Sequence, residues 1–383
     1  VYDVRLFRDG RLVAMNPMAE GAVKLDPATS SARLRFGSIR LPSTRQPLRF
    51  SAYAFNRDRV KSATVHATYT AGAATRAPRR AYILTIGVNA HESPVWNLDF
   101  AANDARRMRE VLSARIASTK DYEETIGIEL VSESGGTDNA TKDRISSAIA
   151  LLAGKAANVA ALQGVANAEK LKPATPDDIV IIAFSGHGLA GQGGAFYLLP
   201  SDIGKSSERT LTDELRRRSI STDDLTAWLR EIDAGDVVMI VDACHSAASV
   251  EAEGFKPGPM GSKGLGQLAY DKGVRILAAS QADDVAMESG KLRHGLLTYA
   301  LVNDGIEASL ADFRPTDKRI ELAEWLGYGV QRVPQLHSEV RVPDQPERGA
   351  SRPASRRAGP AVQQPKLFDF SRVKAQPVVA VLN

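Results

Sequence analysis

Strands alternating with helices over most of the chain predict an α/β protein. Its mainly parallel sheet is covered by helices on both faces and preceded by a small all-β domain, an Ig-like sandwich. Three observations carry this. From residue 81 onward, short apolar runs alternate with segments of helical spacing. The first 70 residues hold short β-branched and aromatic segments punctuated by Gly, Pro, Asn and Asp. Between them, 71–80 is small, polar and Pro-containing, as a linker is. The expected domains are 1–75 (sandwich), 80–335 (α/β) and 340–383 (a mobile Pro/Arg-rich tail).

In the first domain, strands are expected at 4–7, 32–36, 48–55 and 63–69. Phe50, Ala52 and Ala54 alternate with Arg49, Ser51 and Tyr53, the period of a half-buried strand. In the second, 81–88 and 178–184 are apolar runs suited to buried parallel strands, with further strands at 128–131, 237–241 and 274–278. Helices are expected at 101–112, 141–152, from a capping box at Ser221–Asp224 to about 232, and at 292–303 and 320–330. The Ala-rich stretch 153–176 reads as a helix extension ending in a loop. Segment 341–365 reads as a linker rich in Pro, Arg, Ser and Gln, and 367–370 as an apolar patch able to dock back.

No apolar run approaches the ~20 residues of a membrane-spanning helix, so no membrane partner is expected. Net charge is +4, unevenly placed. Segment 1–80 has 15 Lys+Arg against 5 Asp+Glu, 81–339 has 26 against 37, and 340–383 has 8 against 3. The basic charge lies in the two ends without a stacking or groove-reading motif, which argues against nucleic acid. The acidic centre suits a positively charged partner. The start, Val1-Tyr2-Asp3-Val4, has neither an initiator Met nor a signal pattern and reads as the edge of a fragment, with domains missing upstream.

One cysteine, Cys244, excludes an internal disulfide and a cysteine zinc cage. It is either a small buried hydrophobe or a reactive thiol. In open parallel sheets, ligands bind beyond the carboxyl ends of the strands. One buried strand delivers Ser185-Gly186-His187-Gly188 there, and another delivers Asp242-Ala243-Cys244-His245-Ser246. If both are central and parallel, His187 and Cys244 sit side by side, as a thiol and its base require. Gly186 and Gly188 are expected to let the backbone turn sharply around His187. The amides of Gly188 and Cys244 could form an oxyanion hole. The Gly186-x-Gly188-x-x-Gly191 spacing matches a dinucleotide-binding pattern, but no helix follows it, so that reading fails.

These residues resemble the His and Cys motifs of the caspase-fold peptidases, particularly bacterial metacaspase-like proteins. The 57-residue separation is near the ~50 of caspases. Segments 82–89, 98–105, 196–200, 276–280 and 294–300 resemble core elements of that fold, so the resemblance covers about 80–335. Longer bacterial members also carry such a sandwich ahead of this domain. Two departures stand out: Asp242 replaces the Gln of animal caspases, and Ala247 stands where metacaspase-like proteins usually have Gly.

The resemblance implies a cysteine endopeptidase with a Cys244–His187 dyad. It maps Asp104 and Asp242 onto an acidic primary pocket with Ser185 beside them, and so implies protein or peptide substrates cleaved after Arg or Lys. The competing reading of Asp104 is a helix cap. Segment 251–272 resembles the intersubunit linker of caspases in position, either an uncut loop or one cleaved at Lys256, Lys263 or Lys272. No cofactor is expected. Calcium, which some metacaspases need, could face Asp177-Asp178 or Asp283-Asp284, but neither pair has ordered ligand spacing. His66, His91, His245, His294 and His337 are assigned no role. The rival readings are a catalytically silent caspase-fold scaffold and a dyad hydrolase of small acyl substrates.

Overall fold

The computed structural model describes residues 1–16, 23–44, 46–70, 72, 77–136, 138–191, 195–210, 212–245, 263–279, 288–289, 292–340, 362–370 and 376–382. Its elements run β1 (Asp3–Arg8), β2 (Arg11–Met15), β3 (Leu48–Phe55), β4 (Val65–Tyr69), β5 (Arg80–Val88), α1 (Ala101–Thr119), β6 (Glu124–Ser132) and α2 (Lys142–Ala153). Then come β7 (Ile179–Ala190), β8 (Phe196–Leu198), α3 (Asp213–Arg218), β9 (Ile220–Ser221), α4 (Thr222–Glu231), β10 (Asp236–His245), α5 (Lys263–Lys272) and β11 (Arg275–Ala278). The chain continues with β12 (Glu288–Ser289), β13 (His294–Gly295), α6 (Leu296–Tyr299), β14 (Arg319–Glu321), α7 (Leu322–Val340), β15 (Lys366–Phe368) and β16 (Val378–Val381).

The central sheet runs β15-β11-β10-β7-β5-β6. Strands β11, β10, β7, β5 and β6 are parallel, whereas β15 pairs antiparallel to β11, and β8, with β9 beyond it, adds antiparallel to the end of β7. Successive side chains of a strand point to opposite faces, and both faces here are covered. Tyr82, Leu84, Ile86 and Val88 of β5 pack with α2, α4 and α5, while Ala81 and Ile83 pack with α1, α6 and α7. Two covered faces explain why these strands read as unbroken apolar runs.

Local signals account for the helix ends. Thr141 accepts a bond from the Arg144 amide at the start of α2. At α4, both capping-box bonds between Ser221 and Asp224 form. The Ala-rich stretch does not extend α2: Gly154 adopts φ 70°, the left-handed conformation that closes a helix. The helix expected from 292 begins at Leu296 and continues after Tyr299 as a π-helical stretch, Ala300–Glu307.

The N-terminal region is all-β, but its described strands make one antiparallel sheet, β2-β1-β3-β4, with no second sheet facing it among the described residues. Residues 32–36 are not a strand. Instead β2 is, joined to β1 through Asp9 and Gly10 at φ 49° and 84°. An Asp-Gly pair with both residues at positive φ makes the tight turn suited to a two-residue hairpin. This sheet carries its basic side chains onto the acidic α/β region: Arg5 pairs with Asp271 at 2.8 Å, Arg8 with Asp233 at 3.1 Å and Arg11 with Asp236 at 3.3 Å. Part of the charge asymmetry is thus satisfied within the chain.

Segment 340–383 is not a tail throughout. Beyond 341–361, which lie outside the described residues, β15 extends the central sheet and β16 pairs with β14. Strands of three and four residues are too short to show a period in the sequence.

Candidate active site

Strands β7 and β10 are parallel neighbours, and their register sets Asp242 opposite Ser185, Ala243 opposite Gly186, Cys244 opposite His187 and His245 opposite Gly188. The backbone therefore brings Cys244 and His187 together at the carboxyl edge of the sheet, on strands ~4.8 Å apart. Gly188 and Cys244 lie one register step apart. Ser246, Ala247 and the rest of the segment after His245, up to 262, lie outside the described residues.

The glycines act differently from the expected sharp turn. Strand β7 stays extended through His187 as far as Ala190. Neither Gly186 nor Gly188 has positive φ. A Cβ on Gly188 would meet Phe196 Cζ at 2.3 Å, and one on Gly186 would meet the Phe184 ring at 3.0 Å. Close approach of β8 at Gly188, and the Phe184 ring of the same strand at Gly186, rather than backbone freedom, favour glycine here.

The His187 ring is buried between Trp96, edge-on at 5.5 Å, and His91 at 5.8 Å. Its Nε2 has no hydrogen-bond partner among the described residues. Burial pushes its pKa down to about 4, and the charge of Arg209 pushes the same way, against a hydrogen bond to the Trp96 backbone. Burial and then His187 itself hold His91 at about 3. Both imidazoles are therefore neutral at neutral pH, and His187 is able to accept a proton.

A stability dependence follows. When the protein unfolds, both histidines return to about 6.5 and bind protons that the folded state refuses. Their contribution is intact above pH 6.5 and is lost as pH falls toward 4 and 3. Each should cost about 2 kcal/mol between pH 7 and pH 5. The raised carboxyls of Asp104 and Asp178 act in the opposite direction, so the readout is a difference. In denaturant titrations, His91→Phe should lose less stability than wild type between these pH values. Equal losses would contradict the buried neutral pair.

The expected pocket residues converge. Asp104, Ser185 and Asp242 are all buried. Asp104 does not cap its own helix. Its Oδ2 accepts from Ser185 Oγ at 3.1 Å and the Gly295 amide at 3.0 Å, and its Oδ1 lies 2.7 Å from His294 Nδ1. Burial pushes this carboxyl above the usual range, and the bonds from His294, Gly295 and Ser185 pull it back. Asp242 Oδ2 accepts from the Thr298 amide at 3.0 Å and hydroxyl at 2.8 Å. That is a cap on the helix opening at Leu296. Gly295 passes between the two acids: a Cβ there would lie 2.6 Å from Asp242 Oδ2 and 3.0 Å from Asp104 Oδ2. His294, Gly295 and Thr298 are thus partners of the two acids that the sequence alone does not reveal. His294 stands 190 residues from its partner, and no local pattern links them. His91 and Trp96 escape detection beside His187 for the same reason.

The processing segment 251–272 is only partly as expected. Lys256 lies outside the described residues. Lys263 and Lys272 are the first and last residues of α5, not of a loop. Gly264 and Gly266 hide this helix in the sequence, while Leu265, Leu268 and Ala269 bury its inner face. Burial holds the Lys272 amine down at about 8. A peptidase needs an extended backbone, so Lys272 is a poor cleavage site in this state.

Asp177 accepts the Ser43 amide, and Asp178 accepts the Arg80 amide and the Thr175 amide and hydroxyl. Both carboxylates tie loops together at the opposite, amino-terminal edge of the sheet. Asp283-Asp284 lie outside the described residues. Among the described residues no group of three or more His, Cys, Asp or Glu is placed to hold a metal ion. No helix among them is long and apolar enough to cross a membrane.

Comparison with known proteins adds one match. The family model for the caspase domain of the C14 peptidases matches residues 80–339, from the start of β5 nearly to the end of α7. No curated protein matches the chain at a significant level.

Proposed function

The chain belongs to the caspase-domain family of cysteine peptidases, and from that premise we propose a metacaspase-like endopeptidase that cleaves after Arg or Lys, with Cys244 as nucleophile and His187 as base. The observation that supports it most is the register of Cys244 opposite His187, together with the buried His187 Nε2 that lacks a partner among the described residues. A buried polar nitrogen left unmatched costs about 1–3 kcal/mol, and such a cost is typical of groups kept for chemistry.

In this reading, neutral His187 takes the Cys244 proton as the sulfur attacks the scissile carbonyl. The Gly188 and Cys244 amides receive the oxyanion, and the imidazolium returns the proton to the leaving amine. Water, activated by the same imidazole, then hydrolyses the thioester. The Asp104–Asp242 pair supplies negative charge for the basic side chain preceding the cut bond. Self-processing by such a pocket falls more readily at Lys256 than at Lys263 or Lys272, the two ends of α5.

Fluorogenic peptides ending in Arg, Lys or Asp test this reading, using the protein and its Cys244→Ala variant. Turnover of the Arg and Lys peptides, absent from the variant, is the expected result. Turnover only after Asp would reject the acidic pocket. Silence with every peptide, with and without calcium, would favour a scaffold.

A further inference from the structure

Building on the basic-residue pocket proposed above, we propose that His294 is a specificity-determining residue of that pocket, restraining its acceptance of arginine relative to lysine. Acceptor positions in the pocket are limited. A carboxylate offers about four lone-pair positions. Asp104 has already given two on Oδ2, to Ser185 Oγ and the Gly295 amide, and one on Oδ1, to His294 Nδ1. The 2.7 Å contact between His294 Nδ1 and Asp104 Oδ1 occupies a position on that oxygen whichever of the two atoms carries the proton.

The imidazole is held in place. Asn103 Nδ2 donates to the Arg293 carbonyl at 3.1 Å and lies against the ring, and the Tyr299 ring packs 6.3 Å away. His294 is buried, as is the Asp104 it contacts. Its role is not needed to anchor the segment, because the Gly295 amide and both Thr298 donors already tie residues 295–298 to the two aspartates.

A guanidinium brings five N–H donors in a planar fork and gains most from adjacent free acceptor positions, whereas an ammonium is a compact point charge with three rotatable donors. An imidazole that takes one position on Asp104 Oδ1 therefore penalises arginine more than lysine. Removing it returns that position.

The test is the ratio of kcat/KM for an Arg peptide to that for the matched Lys peptide. It is measured for wild type, His294→Ala and His294→Asn. The ratio should rise about tenfold in His294→Ala, mainly through a lower KM for arginine, which is the gain of one charge-assisted hydrogen bond. His294→Asn, which keeps a smaller donor, should fall between. Misfolding or a lower active fraction scales both peptides together and leaves the ratio unmoved. If wild type cleaves after Arg or Lys and neither variant shifts the ratio, the role of His294 is rejected while the pocket stands. If wild type cleaves neither peptide, the pocket is rejected and this inference with it.

Discussion

Replacing His187 with Ala should lower kcat on Arg and Lys peptides by about 10³-fold or more, with KM little changed. Positioned general bases typically contribute 10²–10⁴-fold. Here the same ring also returns the proton to the leaving amine, so one substitution removes both transfers. Substrate contacts assigned to Asp104 and Asp242 lie on other side chains and should persist, which is why KM is the control. His187→Ala empties a site packed against Trp96 and His91. His187→Gln, closer in volume, separates a lost base from a collapsed cavity. Full activity in His187→Gln would reject the dyad.

The second large effect concerns stability. Arg275, at the first position of β11, is completely buried. Its guanidinium reaches Asp236 Oδ1 at 2.5 Å, Asp369 Oδ2 at 3.1 Å and Gln376 Oε1 at 2.6 Å. One side chain thus ties the start of β10 to both described pieces of the C-terminal segment. Asp236 also meets Arg11 of the N-terminal sheet. Removing one partner of a buried ion pair typically costs 3–5 kcal/mol, and although Asp236 keeps Arg11, Asp369 and Gln376 lose the guanidinium. Arg275→Ala should therefore lower the denaturant midpoint by an amount in that range and expose the C-terminal segment to proteolysis. Arg275→Met, which refills the volume, tests whether the loss is electrostatic. A midpoint shift worth less than about 1 kcal/mol for Arg275→Ala would show that the ion pairs are not what secures the segment.

Much of this fold is legible in hydrophobic periodicity and in the signals at element ends. The apolar runs at 81–88 and 178–184 read as parallel strands because burial on both faces removes the need for polar alternation. The capping box at Ser221–Asp224 is legible because its bonds are local. Strand β2 is absent from the sequence expectations, and the Asp9-Gly10 turn that joins it to β1 is its one local signal. Helix α5 is not legible, because its two glycines outweigh three buried apolar residues on propensity alone.

The candidate site divides the same way. His187 and Cys244 stand at the ends of two recognisable strands, so their arrival at the reactive edge follows from local sequence. Their surroundings do not. His294, Gly295 and Thr298 are drawn onto Asp104 and Asp242 from 56 to 191 residues away. Trp96 and His91 enclose the His187 ring from a loop before α1. Strand formation depends on neighbours two to four positions apart, which the chain itself orders. Hydrogen-bond partners across the sheet edge and the desolvation of His187 depend on which distant segments pack there, and packing is settled only when the whole fold closes.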